Sequence, residues 1–197
     1  GIDVNPQAFY DAVTKLPTTS NDYVFFYYDN HGGIGTLGTP DILRDIKADK
    51  LAECFTTAAE SNLYKQCLFI IEACYSGSVA EQFTAPNLAT ITAANSHESS
   101  YAAVFDDEIG AYLTNEFTNY FISYIDENPS TTIGELFQYL QKNTGKSHVC
   151  YFGDESIQSV SLSNFIGTPD KILTKPVNKA DLKPVKPREA TEKTLEF

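Results

Sequence analysis

Two stretches of the chain are unbroken apolar runs that stop abruptly in polar clusters. Leu68-Phe69-Ile70-Ile71 leads into Glu72-Ala73-Cys74-Tyr75-Ser76-Gly77-Ser78, and Tyr23-Val24-Phe25-Phe26-Tyr27-Tyr28 leads into Asp29-Asn30-His31-Gly32-Gly33. A short apolar run closed by turn residues is the pattern of a strand buried in a parallel sheet. A third run, Leu88 to Ala93, ends in Ala94-Asn95-Ser96-His97-Glu98-Ser99-Ser100-Tyr101. Open α/β sheets hold ligands in the crevice beyond the carboxyl ends of their strands. Each polar cluster therefore falls where chemistry is expected.

Between the runs the period changes to that of helices. Asn5-Pro6 reads as N-cap and first helical residue, with Ala8, Phe9, Ala12, Val13 and Leu16 at helical spacing and Pro17 as the stop. Ile42 to Asn62 predicts a mostly helical segment, with Ile46, Leu51, Phe55, Ala58 and Ala59 inward. Ser78 to Phe83 reads as a turn or short helix. Ile109 to Ile125 predicts a helix with Ile109, Tyr112, Leu113, Phe117, Tyr120 and Phe121 on one side, and Asp106, Asp107 and Glu108 as its solvated start. Thr131 to Asn143 predicts another, closed by Gly145. Val149 to Phe152 and Ser159 to Ile166 read as a last strand or hairpin. The alternation predicts an α/β fold with helices on both faces of a sheet.

Gly32-Gly33-Ile34-Gly35-Thr36-Leu37-Gly38 lacks the lysine and the strand–loop–helix setting of a phosphate-binding loop. Its glycines suit tight turns and close approach of backbone. Composition supports one sizeable core: 42% of the 197 residues are hydrophobic, including 13 Phe and 12 Tyr. No apolar run approaches the roughly 20 residues of a membrane helix. The net charge of −12 argues against nucleic acid or an anionic membrane as partner. Beyond Gly167 the chain changes character: Pro169, Pro176, Pro184 and Pro187 alternate with lysines, and half of the 14 basic residues lie there. That segment reads as a linker. The chain opens on Gly1, which suggests a processed chain or part of a longer one.

The chemistry centres on a thiol and an imidazole. Cys74 and His31 each follow an apolar strand, and parallel neighbouring strands would bring them to one edge of the sheet. A Cys–His pair suffices for thiol nucleophilic catalysis, because the imidazole favours the thiolate and later protonates the leaving group. Taken singly, a Cys is usually a small buried hydrophobe and a His a structural residue; the matched contexts favour the pair. His97, in the loop after the third run, and His148, at the start of a late strand, are rival partners. Glu72 on a buried strand demands hydrogen-bond partners. Cys54, Cys67 and Cys150 leave room for at most one disulfide, and the cysteine spacing offers no metal site and implies no cofactor.

Three blocks, Tyr27 to Gly38, Ile71 to Ser78 and Thr92 to Ala102, together closely resemble the legumain family of cysteine endopeptidases, the asparaginyl endopeptidases, over roughly residues 3–167. The resemblance implies a caspase-like three-layer α/β/α sandwich with a mostly parallel sheet. It implies Cys74 as nucleophile, His31 as proton-transfer partner, and the backbone N–H groups of Gly32 and Cys74 as oxyanion hole. Glu72 and Ser100 would line the S1 pocket for a substrate asparagine. Asn115 aligns where the family usually has an acidic S1 residue, which blurs the preference between Asn and Asp. Asn30 stands where an Asp usually precedes the His, and Ala103 replaces a frequent Cys.

The family domain also begins about a hundred residues earlier. Residues 1–167 therefore correspond to its C-terminal two thirds, lacking the first strands, and a preceding segment or second chain is expected to complete it. Residues 168–197 would be a linker or the remnant of an inhibitory C-terminal pro-segment, with Asn178 and Asp181 as candidate self-cleavage points; a plain tail is the alternative. Members work in acidic lysosome- or vacuole-like compartments or are secreted, on peptide and protein substrates. Two other readings stay open: a ligase or transamidase using the same acyl-enzyme, as in the related GPI-anchor transamidase, and an inactive binding domain.

Overall fold

The structure, a computed structural model, describes residues 4–40 and 44–167. The chain runs through α1 (Pro6–Thr14), β1 (Tyr23–Asp29), β2 (Gly32–Gly33), β3 (Thr36–Leu37), β4 (Ile46–Lys47), α2 (Ala48–Glu60), β5 (Gln66–Glu72) and α3 (Gly77–Ala80). It continues through β6 (Leu88–Thr92), β7 (Ala102–Asp106), β8 (Ala111–Asn115), α4 (Glu116–Glu127), α5 (Ile133–Asn143), β9 (Cys150–Gly153), a 3₁₀ turn (Glu155–Ser159) and α6 (Ser163–Ile166). The main sheet has the order β1-β5-β6-β9. β1, β5 and β6 are parallel, and β9 closes one edge antiparallel. This is the α/β fold with helices on both faces that the pattern predicts, and the sheet is mostly parallel, as the family resemblance implies.

Burial on both faces explains why the strands read as continuous apolar runs. Cys67, Phe69 and Ile71 of β5 join one core cluster with Leu51 and Phe55 of α2. Leu68 and Ile70 point the other way, to Phe117 and Phe121 of α4 and Leu136 and Leu140 of α5. On the first face Phe69 sits among Phe9, Phe26, Phe55 and Phe83, with ring centroids 5.7–6.1 Å from its own. The helix signals hold where capping chemistry is strong. Asn5 caps α1 through the Ala8 N–H, and Thr132 with Glu135 forms a full capping box on α5.

Four expectations are corrected. The segment 109–125 is not one helix: β7 and β8 form an antiparallel hairpin, and only Glu116–Glu127 is helical. Asp106 is the last residue of β7 and holds the turn that follows, its Oδ1 accepting from the Glu108 and Ile109 N–H groups, and Gly110 at φ 63° completes the reversal. Phe105 and Tyr112 pair across the hairpin with centroids 5.1 Å apart. Ile46–Lys47 is a strand pairing β3, so α2 starts only at Ala48. Gly145 does stand at C′, just after the Thr144 cap of α5, but its φ is not positive and Thr144 is extended, so the helix does not end through a left-handed glycine. Residues 155–166 make a 3₁₀ turn and a short helix rather than a strand, joined to the fold by the Thr132–Ser161 bridge.

Phe69 is the packing centre of the α1–α2 face. Phe69→Ala is expected to lower unfolding free energy by about 3–5 kcal/mol, the usual range for an aromatic deleted from a filled core. Urea denaturation measures it. A loss below about 1 kcal/mol would mean that the ring cluster is not a rigid part of the core.

Candidate active site

The register of β1 and β5 builds the site. Asp29 and Glu72 are partners in the parallel ladder, and each is the last residue of its strand. His31 and Cys74 both come two residues later. Strands lying about 4.8 Å apart thus deliver the imidazole and the thiol to neighbouring loops. A cleft of about 600 Å³ is lined by Asp29, Asn30, His31, Cys74, Ser100, Ala102 and Asn115. His31 and Cys74 both lie in it; His97 and His148 are not among its lining residues. His148 is engaged elsewhere: its Nδ1 lies 2.8 Å from Glu98 Oε2.

Both loops are held by their own hydrogen bonds. The Tyr28 hydroxyl donates to the carbonyls of His31 (2.9 Å) and Gly38 (2.6 Å), and the Gly38 N–H donates to His31 O at 2.8 Å. Asn30 Oδ1 accepts the His31 N–H at 2.7 Å, and the Asn30 N–H reaches Glu72 O at 3.2 Å. On the other strand Tyr75 is turned into the left-handed region at φ 55°, a conformation costing roughly 1–3 kcal/mol that surrounding contacts must hold. Its N–H donates to Glu98 O at 2.8 Å. Ser76 bonds both polar groups of the Ala94 backbone at 3.2 Å. Ser78 Oγ accepts the Gly35 N–H at 2.8 Å and so ties the glycine ribbon to the thiol loop.

Gly32 is required by closeness. A Cβ there would stand 2.3 Å from Cys74 O and 2.9 Å from Ala73 Cβ. The ladder Gly33↔Thr36, Gly32↔Leu37, with Gly38 bonded to His31, makes Gly32 the non-hydrogen-bonded step. Its N–H therefore points away from β3. The Cys74 thiol donates to Ser100 O at 3.6 Å.

Behind the cleft sits an unusual charge arrangement. Glu72 is 1% exposed. Its Oε2 accepts from the Thr118 N–H (3.2 Å) and hydroxyl (3.3 Å), while Oε1 has no hydrogen-bond partner among the described residues. The Thr118 hydroxyl also lies 3.5 Å from Asp29 Oδ2 and 2.6 Å from the Tyr27 hydroxyl. Tyr27 can spend its proton on Thr118, which leaves the single Thr118 proton for two carboxylates. Burial pushes the Glu72 carboxyl up to about 7; the Ser100 and Thr118 groups oppose this and the Asp29 charge adds to it. Burial also raises Asp29, against the pull of Thr118 and Asn115. Asn115 Nδ2 donates to Asp29 Oδ1 at 2.8 Å.

The expected pocket residues Ser100 and Asn115 line the cleft, and Glu72 lies beneath it. Sequence reasoning missed Asp29 and Thr118. Asp29 was findable, because it ends its strand just as Glu72 ends the neighbouring one; Thr118 sits in a helix whose start was misplaced. All four cysteines are free, and burial raises the thiols of Cys67, Cys54 and Cys150. The described residues contain no cluster suited to a metal, and no described helix is long and apolar enough to cross a membrane. Asn178 and Asp181 lie outside the described residues.

Comparison with known proteins gives a consistent picture. The model of the peptidase C13 family matches residues 3–168. Mouse legumain is 31% identical over 176 residues, covering 86% of this chain and 40% of legumain. The GPI-anchor transamidase of Saccharomyces cerevisiae is 30% identical over 138 residues, covering 68% of this chain and 33% of that protein. The chain thus spans about two fifths or less of the length of these relatives. A crystal structure of caspase-1 from Spodoptera frugiperda superposes with a TM-score of 0.58 at 14% identity, covering 77% of this chain and 68% of that one. The fold is caspase-like.

The buried Glu72 makes stability depend on pH in a defined direction. In the folded chain it titrates near 7, against an ordinary value of 4.5. Between those values the native state keeps a proton that the unfolded state has lost. Stability therefore falls as pH rises from about 4.5 to about 7, by on the order of 3 kcal/mol for this group. Glu72→Gln is expected to flatten that segment of the curve. Urea titrations across this range measure it; an unchanged slope in the variant would place the pH dependence elsewhere.

Proposed function

The chain belongs to the peptidase C13 family, and we propose that it carries the Cys–His centre of a cysteine endopeptidase cleaving after asparagine. The observation that supports this most directly is the shared cleft at the ends of β1 and β5, with His31 and Cys74 on adjacent loops. In this reading His31 takes the Cys74 proton, and the thiolate attacks the substrate carbonyl. The oxyanion forms against the N–H groups of Gly32 and Cys74. The first is turned out of its ribbon and pressed against the thiol loop by the missing side chain. One such donor typically lowers the barrier by roughly 3 kcal/mol. The imidazolium then protonates the leaving amine, and water, activated by the neutral imidazole, hydrolyses the thioester.

The substrate side chain enters the pocket of Glu72, Ser100 and Asn115. A primary amide carries both donors and an acceptor, and this pocket offers both kinds of partner. An unpaired buried Glu72 Oε1 costs free energy in the empty site and gains a bond when an amide N–H arrives. In a mildly acidic, lysosome- or vacuole-like compartment, such as the family resemblance suggests, Glu72 keeps its proton and meets the amide as a neutral carboxyl. The edge of β1 opposite β5 pairs with no strand among the described residues. That edge is where a preceding segment or second chain would complete the sheet. We extend the proposal to a zymogen in which the Pro/Lys-rich segment covers the cleft until cleavage at Asn178 or Asp181.

A transamidase is the second reading, favoured by the similarity to the yeast GPI-anchor transamidase. It differs only in the acceptor, an amine in place of water. Peptides differing in Asn, Asp or Ala at the cleaved position, assayed from pH 4 to 7 with and without hydroxylamine, separate the two. Hydrolysis after Asn, abolished in Cys74→Ala, is the expected result. Product found only as hydroxamate would indicate transamidation, and failure of Cys74 to react with any thiol-directed inhibitor would indicate a binding domain. Gly32→Ala keeps its N–H but its methyl collides with Cys74 O and displaces that donor, so kcat is expected to fall by about 10²–10³-fold, as when an oxyanion donor is lost. Activity within threefold of wild type would remove Gly32 from the oxyanion hole.

A further inference from the structure

We propose that Asp29 is a specificity-determining residue of this pocket: held by Asn115 and standing beside Glu72, its carboxylate accepts an N–H of the substrate's side-chain amide. The inference rests on the asparagine-cleaving reading above and deepens it. Asp29 lines the cleft together with Cys74, Ser100 and Asn115, and its ladder partner is Glu72.

Its two oxygens are unequally committed. Oδ1 takes a 2.8 Å bond from Asn115 Nδ2, while Oδ2 has only the Thr118 hydroxyl at 3.5 Å, a proton that Glu72 Oε2 also draws on at 3.3 Å. Oδ2 thus keeps acceptor capacity at the cleft wall, while on the adjacent strand Glu72 Oε1 is buried, without a hydrogen bond among the described residues. Of the two carboxyls on these adjacent strands, Asp29 is the one that reaches the cleft, with Glu72 buried behind it.

Asn115 supplies the opposite polarity. An amide nitrogen carries two protons, and the bond to Asp29 uses one. The other can meet a substrate carbonyl oxygen. The pair therefore presents an acceptor and a donor side by side, which is the complement of a primary amide. An ammonium group would satisfy only the acceptors, and a substrate carboxylate would face the Asp29 carboxylate with no Lys or Arg among the described lining residues. Asp29 also fixes Asn115, since without the carboxylate the amide could rotate and present either end.

The test uses the full-length protein and kcat and KM for peptides with Asn or Asp at the cleaved position, together with the rate at which iodoacetamide alkylates Cys74. Asp29→Asn and Asp29→Ala are expected to lower kcat/KM for Asn peptides at least tenfold and to narrow the Asn-to-Asp ratio, with Cys74 alkylation unchanged. The exchange variant Asp29→Asn/Asn115→Asp moves the carboxylate across the same hydrogen bond and is expected to recover Asn selectivity to within a few fold. Wild-type-like kinetics in both single variants would overturn the proposal while leaving the protease reading intact. A loss of alkylation parallel to the loss of activity would show a structural role instead, and would overturn it too. If the wild-type protein cleaves no Asn peptide, the protease reading fails first and this inference with it.

Discussion

The parallel register between β1 and β5 is the constraint on which the site depends. With Asp29 opposite Glu72, every residue beyond the two strands starts from a known offset. A one-residue slip would turn each side chain of β1 to the other face of the sheet. It would move Phe26 and Tyr28 out of the α1–α2 core and Phe25 and Tyr27 out of the α4–α5 core. Those aromatic contacts therefore hold the register, and the register places the imidazole loop beside the thiol loop. Gly32 completes the fit, because the two backbones meet where no Cβ has room.

The same register puts two carboxylates side by side, which a fold assembled for stability alone would avoid. Like charges on directly opposed positions are unfavourable, and here one of them is fully buried. The structure supplies a Thr118 hydroxyl and N–H, the Ser100 side chain and an Asn115 amide, but no described cation in the lining of the cleft. The residual cost appears as the upward displacement of both carboxyls. Such frustration is common where a ligand must be bound rather than a core filled. A substrate amide would relieve it by bringing donors that the protein lacks.

The sequence made the sheet legible because burial on both faces leaves a simple mark, and β1, β5 and β6 all carry it. It also marked His31, Cys74 and the strand-end position of Glu72, since polar clusters after such strands have few other uses. The hairpin of β7 and β8 was not legible as a hairpin. Its apolar residues Phe105, Tyr112 and Leu113 are largely exposed, so neither the two-residue nor the 3.6-residue period reports a core. The turn chemistry of Asp106 and Gly110 was the better guide, and the helical spacing of Phe117 and Phe121 was extended backward across it. Asp29 was overlooked because a charged residue at a strand end reads as solvated until the neighbouring strand's register is known.

In the proposed reading, position 29 also accounts for an amide pocket where the expected acidic residue is Asn115. Hydrogen-bond complementarity needs a donor and an acceptor at suitable points, and it does not require that each come from a particular strand. Asp29 on β1 and Asn115 at the end of β8 are joined by a single 2.8 Å bond, so charge and amide can stand on either side of it. The thiol and imidazole loops are held by separate bonds, from the Tyr28 hydroxyl to the carbonyls of His31 and Gly38, and from the Tyr75 and Gly77 N–H groups to the carbonyls of Glu98 and Ala94. On that reading the separation would let the Asp29–Asn115 pair change while His31 and Cys74 stay in place. The pocket and the nucleophile share a strand, but they are anchored to different parts of the fold.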